Sequence, residues 1–315
     1  MSSCKAGQSS GWTPQLMGSL VGKTYVITGA SAGAGFEAAR LLLSKGARVV
    51  MLNRSEEKSL EVMARLQPIA GSAADISFIS MDLSSLDSVR AAAAKLLAAQ
   101  PRIDALLCNA AIAQVAKHET TRDGFESQWG VNHLGHFLLC GLLFERIAAS
   151  AGRVVVVGSN AYKMGLKRIQ FEDINFQRQY SAWNAYAQSK LAQMMFAYEL
   201  QRRVSAADKS VQVLVCHPGA SRTNLLKDTA SPFNKALWAV LSRVMAQSAE
   251  KGSWPEVMCA THAGLKPEGY YGPTRRAQMV GPVGECPLDA VAHNRVMAAQ
   301  LWQLSEQQVG FCWPL

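Results

Sequence analysis

No CxxC pair occurs among the seven cysteines (Cys4, Cys108, Cys140, Cys216, Cys259, Cys286, Cys312), and their number is odd. That pattern argues against a disulfide framework or a thiolate zinc site; reduced thiols and a cytoplasmic location are the expectation. Long apolar runs are also missing. The longest strongly apolar stretch, Phe137 to Phe144, falls far short of the ~20 residues that cross a bilayer. Residues 1–19 contain a single lysine, Lys5, in a Gly/Ser-rich stretch with few apolar residues; they read as a flexible arm, with neither a targeting segment nor a stable membrane anchor. Charged residues are sparse, at 17%, against 49% hydrophobic residues. Such a balance excludes a disordered or coiled-coil chain and fits a globular protein with a large buried core. The charge of +9 is spread without a dense basic run or interleaved aromatics, so no nucleic-acid partner is expected. Lys163, Lys167, Arg168 and Arg178 do share one segment, which leaves room for an anionic group on a ligand. His133, His136 and His217 have no cluster of further ligands around them and read as structural, with no metal expected.

From Lys23 onward, short β-branched runs alternate with longer helical patterns. The strand candidates are 24–28, 48–52, 76–81, 105–108, 153–158 and 211–216; the helical stretches are about 35–45, 56–67, 86–99, 124–149 and 183–206. Nearly continuous apolar strands with helical crossovers predict an α/β fold, a single Rossmann-type doubly wound parallel sheet with helices on both faces, over residues 20–315. After Cys216, seven prolines from Pro218 to Pro287 break the pattern. This part reads as a cover over a substrate, centred on 220–268, more than as an extension of the sheet.

The first strand runs into Thr28-Gly29-Ala30-Ser31-Ala32-Gly33-Ala34-Gly35, and a helix begins near Phe36. A helix start leaves unpaired N–H groups and a partial positive charge, and glycines let a pyrophosphate reach them without Cβ clashes. A dinucleotide therefore fits, with Gly29, Ser31, Gly33 and Gly35 as its cradle. After the second strand come Asn53 and Arg54. An acidic residue there would bind the ribose hydroxyls of NAD; Arg54 instead offers a permanently charged donor fork for a 2′-phosphate, and Ser31 a hydroxyl, so NADP(H) is the expected cofactor.

Tyr186 and Lys190 stand four apart in a helical stretch and share a face. Ser159 ends the fifth strand, and Asn132 falls within a predicted helix. TGxxxGxG after the first strand, YxxxK on a later helix and Ser159 after the fifth strand together resemble the classical short-chain dehydrogenase/reductase family, over about residues 20–272. Asp82 in Met81-Asp82-Leu83, Asn109 in Cys108-Asn109-Ala110-Ala111, and His217-Pro218-Gly219 followed by Thr223 agree in position. The turn after the fourth strand departs from the family's usual NNAG but keeps Asn109. Ser159 and Tyr186 are 27 residues apart, farther than in the simplest family members, which implies an insertion at 160–182. Its wording around Ile169 to Asn175 and Tyr180, with Gly269-Tyr270-Tyr271-Gly272-Pro273, resembles the branch of retinol dehydrogenases and protochlorophyllide reductases.

The resemblance implies roles. Tyr186 would be the general acid or base at a carbonyl or alcohol carbon, Lys190 would favour the phenolate and hold the nicotinamide ribose, and Ser159 would hydrogen-bond the substrate oxygen. Asn132 would anchor a water leading to Lys190, Asp82 would meet adenine, and Asn109, Pro218, Gly219 and Thr223 would line the cofactor. The substrate expected is a small, hydrophobic carbonyl or alcohol. Retinol dehydrogenases commonly carry an N-terminal anchor, so a relative with a different substrate is expected here. Family members are often homodimers or homotetramers. Three other readings are weighed: a nucleotide-sugar epimerase, whose glycine spacing differs; an idle NADP-binding regulator, which has no chemical need for Ser159, Tyr186 and Lys190; and light-driven reduction of a porphyrin ring.

Overall fold

The computed structural model describes residues 11–70, 75–220 and 247–315. Its centre is an eight-stranded sheet in the order β3-β2-β1-β4-β5-β6-β7-β8. The strands are β1 (Thr24–Thr28), β2 (Arg48–Asn53), β3 (Asp75–Ser80), β4 (Ala105–Cys108), β5 (Arg153–Val157), β6 (Gln212–Cys216), β7 (Tyr270–Arg275) and β8 (Val280–Glu285). β1 to β7 run parallel, and β8 pairs antiparallel with β7. All five residues of β1 and all four of β4 are buried, as the apolar runs require of strands covered on both faces. Helices α1 (Gly33–Leu43), α2 (Glu56–Leu66) and α6 (Ala249–Thr261) cover one face; α3 (Leu86–Ala99), α4 (Gly135–Ala149), α5 (Ala182–Ala206) and α7 (Arg295–Val309) cover the other. The doubly wound α/β architecture is thus present, with its core in two apolar layers either side of the sheet.

Three local differences from the sequence reading have physical causes. The helix expected over 124–149 starts later. Gly124 takes a left-handed φ of 83°, and the buried Glu126 carboxylate accepts the N–H groups of Gln128 and Trp129, so a π-helical turn, Trp129–Leu134, leads into α4. Second, the C-terminal third does extend the sheet. Tyr270 and Tyr271 pair with Val215 and Cys216, and α6 continues through Pro255 to pack on the sheet and on α1. Third, residues 11–19 of the segment read as an arm are packed in part: Trp12 and Met17 are buried, and the Trp12 N–H donates to the Val283 carbonyl at 2.9 Å, covering the edge of β8.

Strand order reverses between β1 and β4, which opens a crevice beyond their carboxyl ends. Gly29, Asp82, Asn109, Ser159 and His217 follow the carboxyl ends of β1, β3, β4, β5 and β6, and Asn53 is the last residue of β2. The topology therefore gathers sequence-distant residues along one rim.

Candidate active site

The glycine loop is built by close approach. Gly29 (φ 71°) and Gly33 (φ 60°) take left-handed conformations, and a Cβ on Gly35 would lie 2.4 Å from Asn109 Nδ2 and 2.6 Å from the Gly29 carbonyl. α1 then begins without a side-chain cap, whereas serines cap α2, α3, α5 and α6. Uncapped N–H groups behind a glycine-rich loop fit the pyrophosphate of a dinucleotide. Arg54 is exposed beside this loop, and no hydrogen bond or ion pair holds its guanidinium among the described residues. Ser31 is half-buried in the loop itself.

Asn53, which sequence reasoning passes over, secures the loop to β2. Its Oδ1 accepts the Ala30 N–H at 2.8 Å, and its Nδ2 donates to Ser59 Oγ at 3.1 Å. Asn109 does the same from β4, donating through Nδ2 to the carbonyls of Thr28 (2.9 Å) and Gly29 (3.1 Å). Its amide shapes the cradle from behind. Asp82 accepts from the N–H and hydroxyl of Ser84 through Oδ1 (2.9 and 2.7 Å), an entry to α3 as much as a rim group.

A buried chain of hydrogen bonds connects the loop to the catalytic candidates. Thr28 Oγ1 accepts the N–H groups of Asn109 and Ala110, each at 3.0 Å, and lies 2.9 Å from His136 Nε2. His136 Nδ1 is 2.9 Å from the Asn132 carbonyl, which can only accept. The ring is therefore protonated on Nδ1 and takes the Thr28 hydroxyl proton on Nε2. Burial pulls its pKa down to about 4, so it is neutral. The Asn132 amide, wholly buried, donates to the Ile112 carbonyl and Ser189 Oγ and accepts the Ile112 N–H, all at 2.9 Å. Asn132 thus clamps the chain after β4 to α5 at Ser189, next to Lys190.

α5 starts at its Ser181 cap and carries Tyr186 and Lys190 one turn apart. Tyr186 is 8% exposed. Burial raises its pKa, and the nearby Ser159 hydroxyl acts in the opposite direction. Lys190 stands one helical turn further along α5 and is buried. Its Nζ donates to the Val157 carbonyl at 2.9 Å and to Gln193 Oε1 at 2.8 Å, and burial lowers its pKa to about 8. Ser159 also caps a short 3-10 turn, Asn160–Lys163, through the Ala161 N–H. Trp183 stands with its ring centroid 6.3 Å from that of Tyr186, an apolar neighbour that sequence reasoning missed. The three-residue spacing on a helix was the available signal.

After β6, Gly219 has φ 66° and a Cβ there would lie 2.4 Å from the Met279 carbonyl. Its N–H donates to His217 Nδ1 at 3.2 Å, and the Pro218 carbonyl accepts from Gln247 Nε2 at 2.7 Å. Thr223 lies outside the described residues. Among the described residues no group of His, Cys, Asp or Glu is arranged to hold a metal ion, and no helix is long and apolar enough to cross a membrane.

The family model described as short chain dehydrogenase matches residues 23–171. Human retinol dehydrogenase 14 is 36% identical over 307 residues, spanning 93% of this chain and 88% of that protein. Human retinol dehydrogenase 12 is 36% identical, spanning 93% and 88%. The crystal structure of an uncharacterised protein from Mycobacterium Paratuberculosis superposes with a TM-score of 0.80 at 37% identity, covering 97% of this chain and all of that one. The chain belongs to the short-chain dehydrogenase/reductase family, in its retinol dehydrogenase-like branch. It is thereby an oxidoreductase of a family that uses nicotinamide cofactors on small-molecule substrates.

Proposed function

We propose that this protein is an NADP(H)-dependent reductase or dehydrogenase acting at the carbonyl or alcohol carbon of a small hydrophobic molecule, with Tyr186 as its general acid and base. The observation that carries the reading is the buried Tyr186 phenol, close enough to Ser159 for that hydroxyl to act on its pKa and one helical turn from Lys190, on the rim where α1 begins uncapped. The nicotinamide, when bound, supplies or accepts the hydride. As negative charge develops on a carbonyl oxygen, the Tyr186 hydroxyl donates its proton to that oxygen; in the oxidative direction the phenolate takes it back. Ser159 holds the same oxygen at a set distance and stabilises its charge. The Lys190 ammonium, with one N–H beyond the two already engaged, favours the phenolate and orders the ribose hydroxyls. Asn132 fixes α5 against the chain after β4, which sets where Lys190 stands; a water on its clamp leads protons toward Lys190.

Gly29, Ser31, Gly33 and Gly35 receive the pyrophosphate, and Arg54 with Ser31 receives the 2′-phosphate that distinguishes NADP from NAD. Asp82 and Asn109 line the adenine side; Pro218 and Gly219 line the nicotinamide side. The stretch 160–182 forms a substrate-side wall, entered directly from Ser159; residues 221–246 of the cover expected over 220–268 lie outside the described residues. The relatives' name and the apolar Trp183 support a hydrophobic aldehyde, ketone or alcohol, with retinal and retinol as reference compounds.

The test is NADPH and NADH binding by nicotinamide fluorescence, followed by turnover of hydrophobic carbonyls, retinal included, in wild type and Tyr186→Phe. NADPH preference with turnover lost only in the variant is the expected result. Tight NADPH binding without turnover of any compound would move the reading to an idle regulator, and absence of dinucleotide binding would overturn it.

A further inference from the structure

We infer that Gln193 is a positioning residue for Lys190, holding the ammonium charged and aimed at the rim from one turn further along α5; the inference rests on the role proposed above for Lys190. An ammonium has three donors and no acceptor. Two are committed, to the Val157 carbonyl at 2.9 Å and to Gln193 Oε1 at 2.8 Å, which leaves one for a ligand hydroxyl. Residues three apart on a helix are neighbours, so Gln193 reaches Lys190 without distorting α5.

Gln193 is 1% exposed. Its Nε2 has no hydrogen-bond partner among the described residues. A buried amide with half of its polar atoms unpaired is costly, and an apolar side chain of the same shape would avoid that cost. The bond to Lys190 is what the amide contributes at this position.

The groups facing Lys190 make that contribution measurable. Tyr186 lies on the same helix, Cys108 and Cys216 face it from β4 and β6, and His136 faces it from α4. β5 contributes the Val157 carbonyl and Ser159, neither of which titrates. His136 is neutral at ordinary pH, and burial holds the Cys216 thiol protonated. No carboxylate among the described residues acts on Lys190. Two neutral oxygens therefore hold a buried charge that burial has already brought down to about 8, and removal of one oxygen shifts a titration that lies within easy reach.

The test uses full-length protein without added cofactor, labelled at lysine Cε with carbon-13, the Lys190 signal being assigned through Lys190→Arg. Gln193→Met and Gln193→Glu conserve the side-chain shape. The midpoint of Lys190 is expected to fall by about one pH unit in Gln193→Met and to rise by about as much in Gln193→Glu, where a carboxylate replaces the amide. The alkaline limb of kcat/KM is expected to move in the same two senses, which loss of packing alone would not do. Midpoints unchanged from wild type in both variants overturn the inference. Should Gln193→Met fail to fold by circular dichroism, Gln193→Glu decides alone, and no rise overturns it. The carbon-13 midpoint is read without turnover, so retained activity in Tyr186→Phe would overturn the proposed function and leave this result standing.

Discussion

The Ala30 N–H donates to Asn53 Oδ1 at 2.8 Å, so the residue that ends β2 holds the middle of the glycine loop. Arg54, the next residue, is thereby carried on a fixed strand end beside the loop. Arg54→Ala is expected to weaken NADPH binding by about ten- to hundredfold while leaving NADH nearly unchanged, since one charge-assisted contact to phosphate is lost. Asn53→Ala leaves the Ala30 N–H unpaired and is expected to weaken both cofactors and to cost about 1–3 kcal/mol of stability. Parallel titrations of the two dinucleotides with a urea melt separate these effects.

The Ser159 hydroxyl acts on the Tyr186 phenol against the effect of burial. Tyr186→Phe is expected to lower kcat by about 10²–10⁴-fold with NADPH affinity retained, as for loss of a general acid. Ser159→Ala removes that opposing hydroxyl, so the pKa of the phenol is expected to rise further. The activity that depends on the phenolate, in the oxidative direction, should then appear only at higher pH. Rate profiles from pH 6 to 10 for both variants check this.

Glu256 in α6 is 2% exposed, neither carboxyl oxygen has a hydrogen-bond partner among the described residues, and burial pushes its pKa up to about 8. The folded protein therefore keeps a proton that the unfolded chain, at the ordinary value of 4.5, releases. Stability attributable to this group is unaffected below about pH 4.5, declines as pH rises toward 8, and levels off above it. Glu256→Gln should match wild type near pH 4.5 and exceed it by up to a few kcal/mol at pH 8. Urea unfolding at both pH values measures the difference.

Three buried histidines act at the other end of the scale. Burial lowers His133 to about 3, His136 to about 4 and His217 to about 3. Because the unfolded forms titrate near 6.5, their contribution is present above that pH and is lost as pH falls toward 3–4. The acid limb of the stability curve should therefore begin below about pH 6.5. It should be shallower in His133→Leu, where Ser305 loses the ring at 2.8 Å but still donates to the Leu301 carbonyl at 2.7 Å. Thermal melts between pH 4 and 7 test the slope.

The parallel sheet was legible because its strands are continuous apolar runs between helical patterns; six were placed within a residue or two. Tyr186, Lys190 and the glycine loop were legible because they lie in short, local motifs. The start of α4 was not, since a helical pattern over 124–149 conceals the left-handed Gly124 and the Glu126 carboxylate that reset the chain. β7 and β8 were also missed. Their prolines and glycines read as loop, and only the edge of β6 makes Tyr270 and Tyr271 into a strand.

By itself, the sequence determined the α/β class and which motifs fall at the strand ends, because periodicity and motif spacing are local properties. Tertiary structure alone decided how those residues are held. Asn53 reaches Ala30 over 23 positions and Asn132 reaches Ser189 over 57, and each partner is chosen by strand order. Likewise the shifts of Lys190 and Glu256 come from burial, which depends on what packs over a residue and is written at no single position.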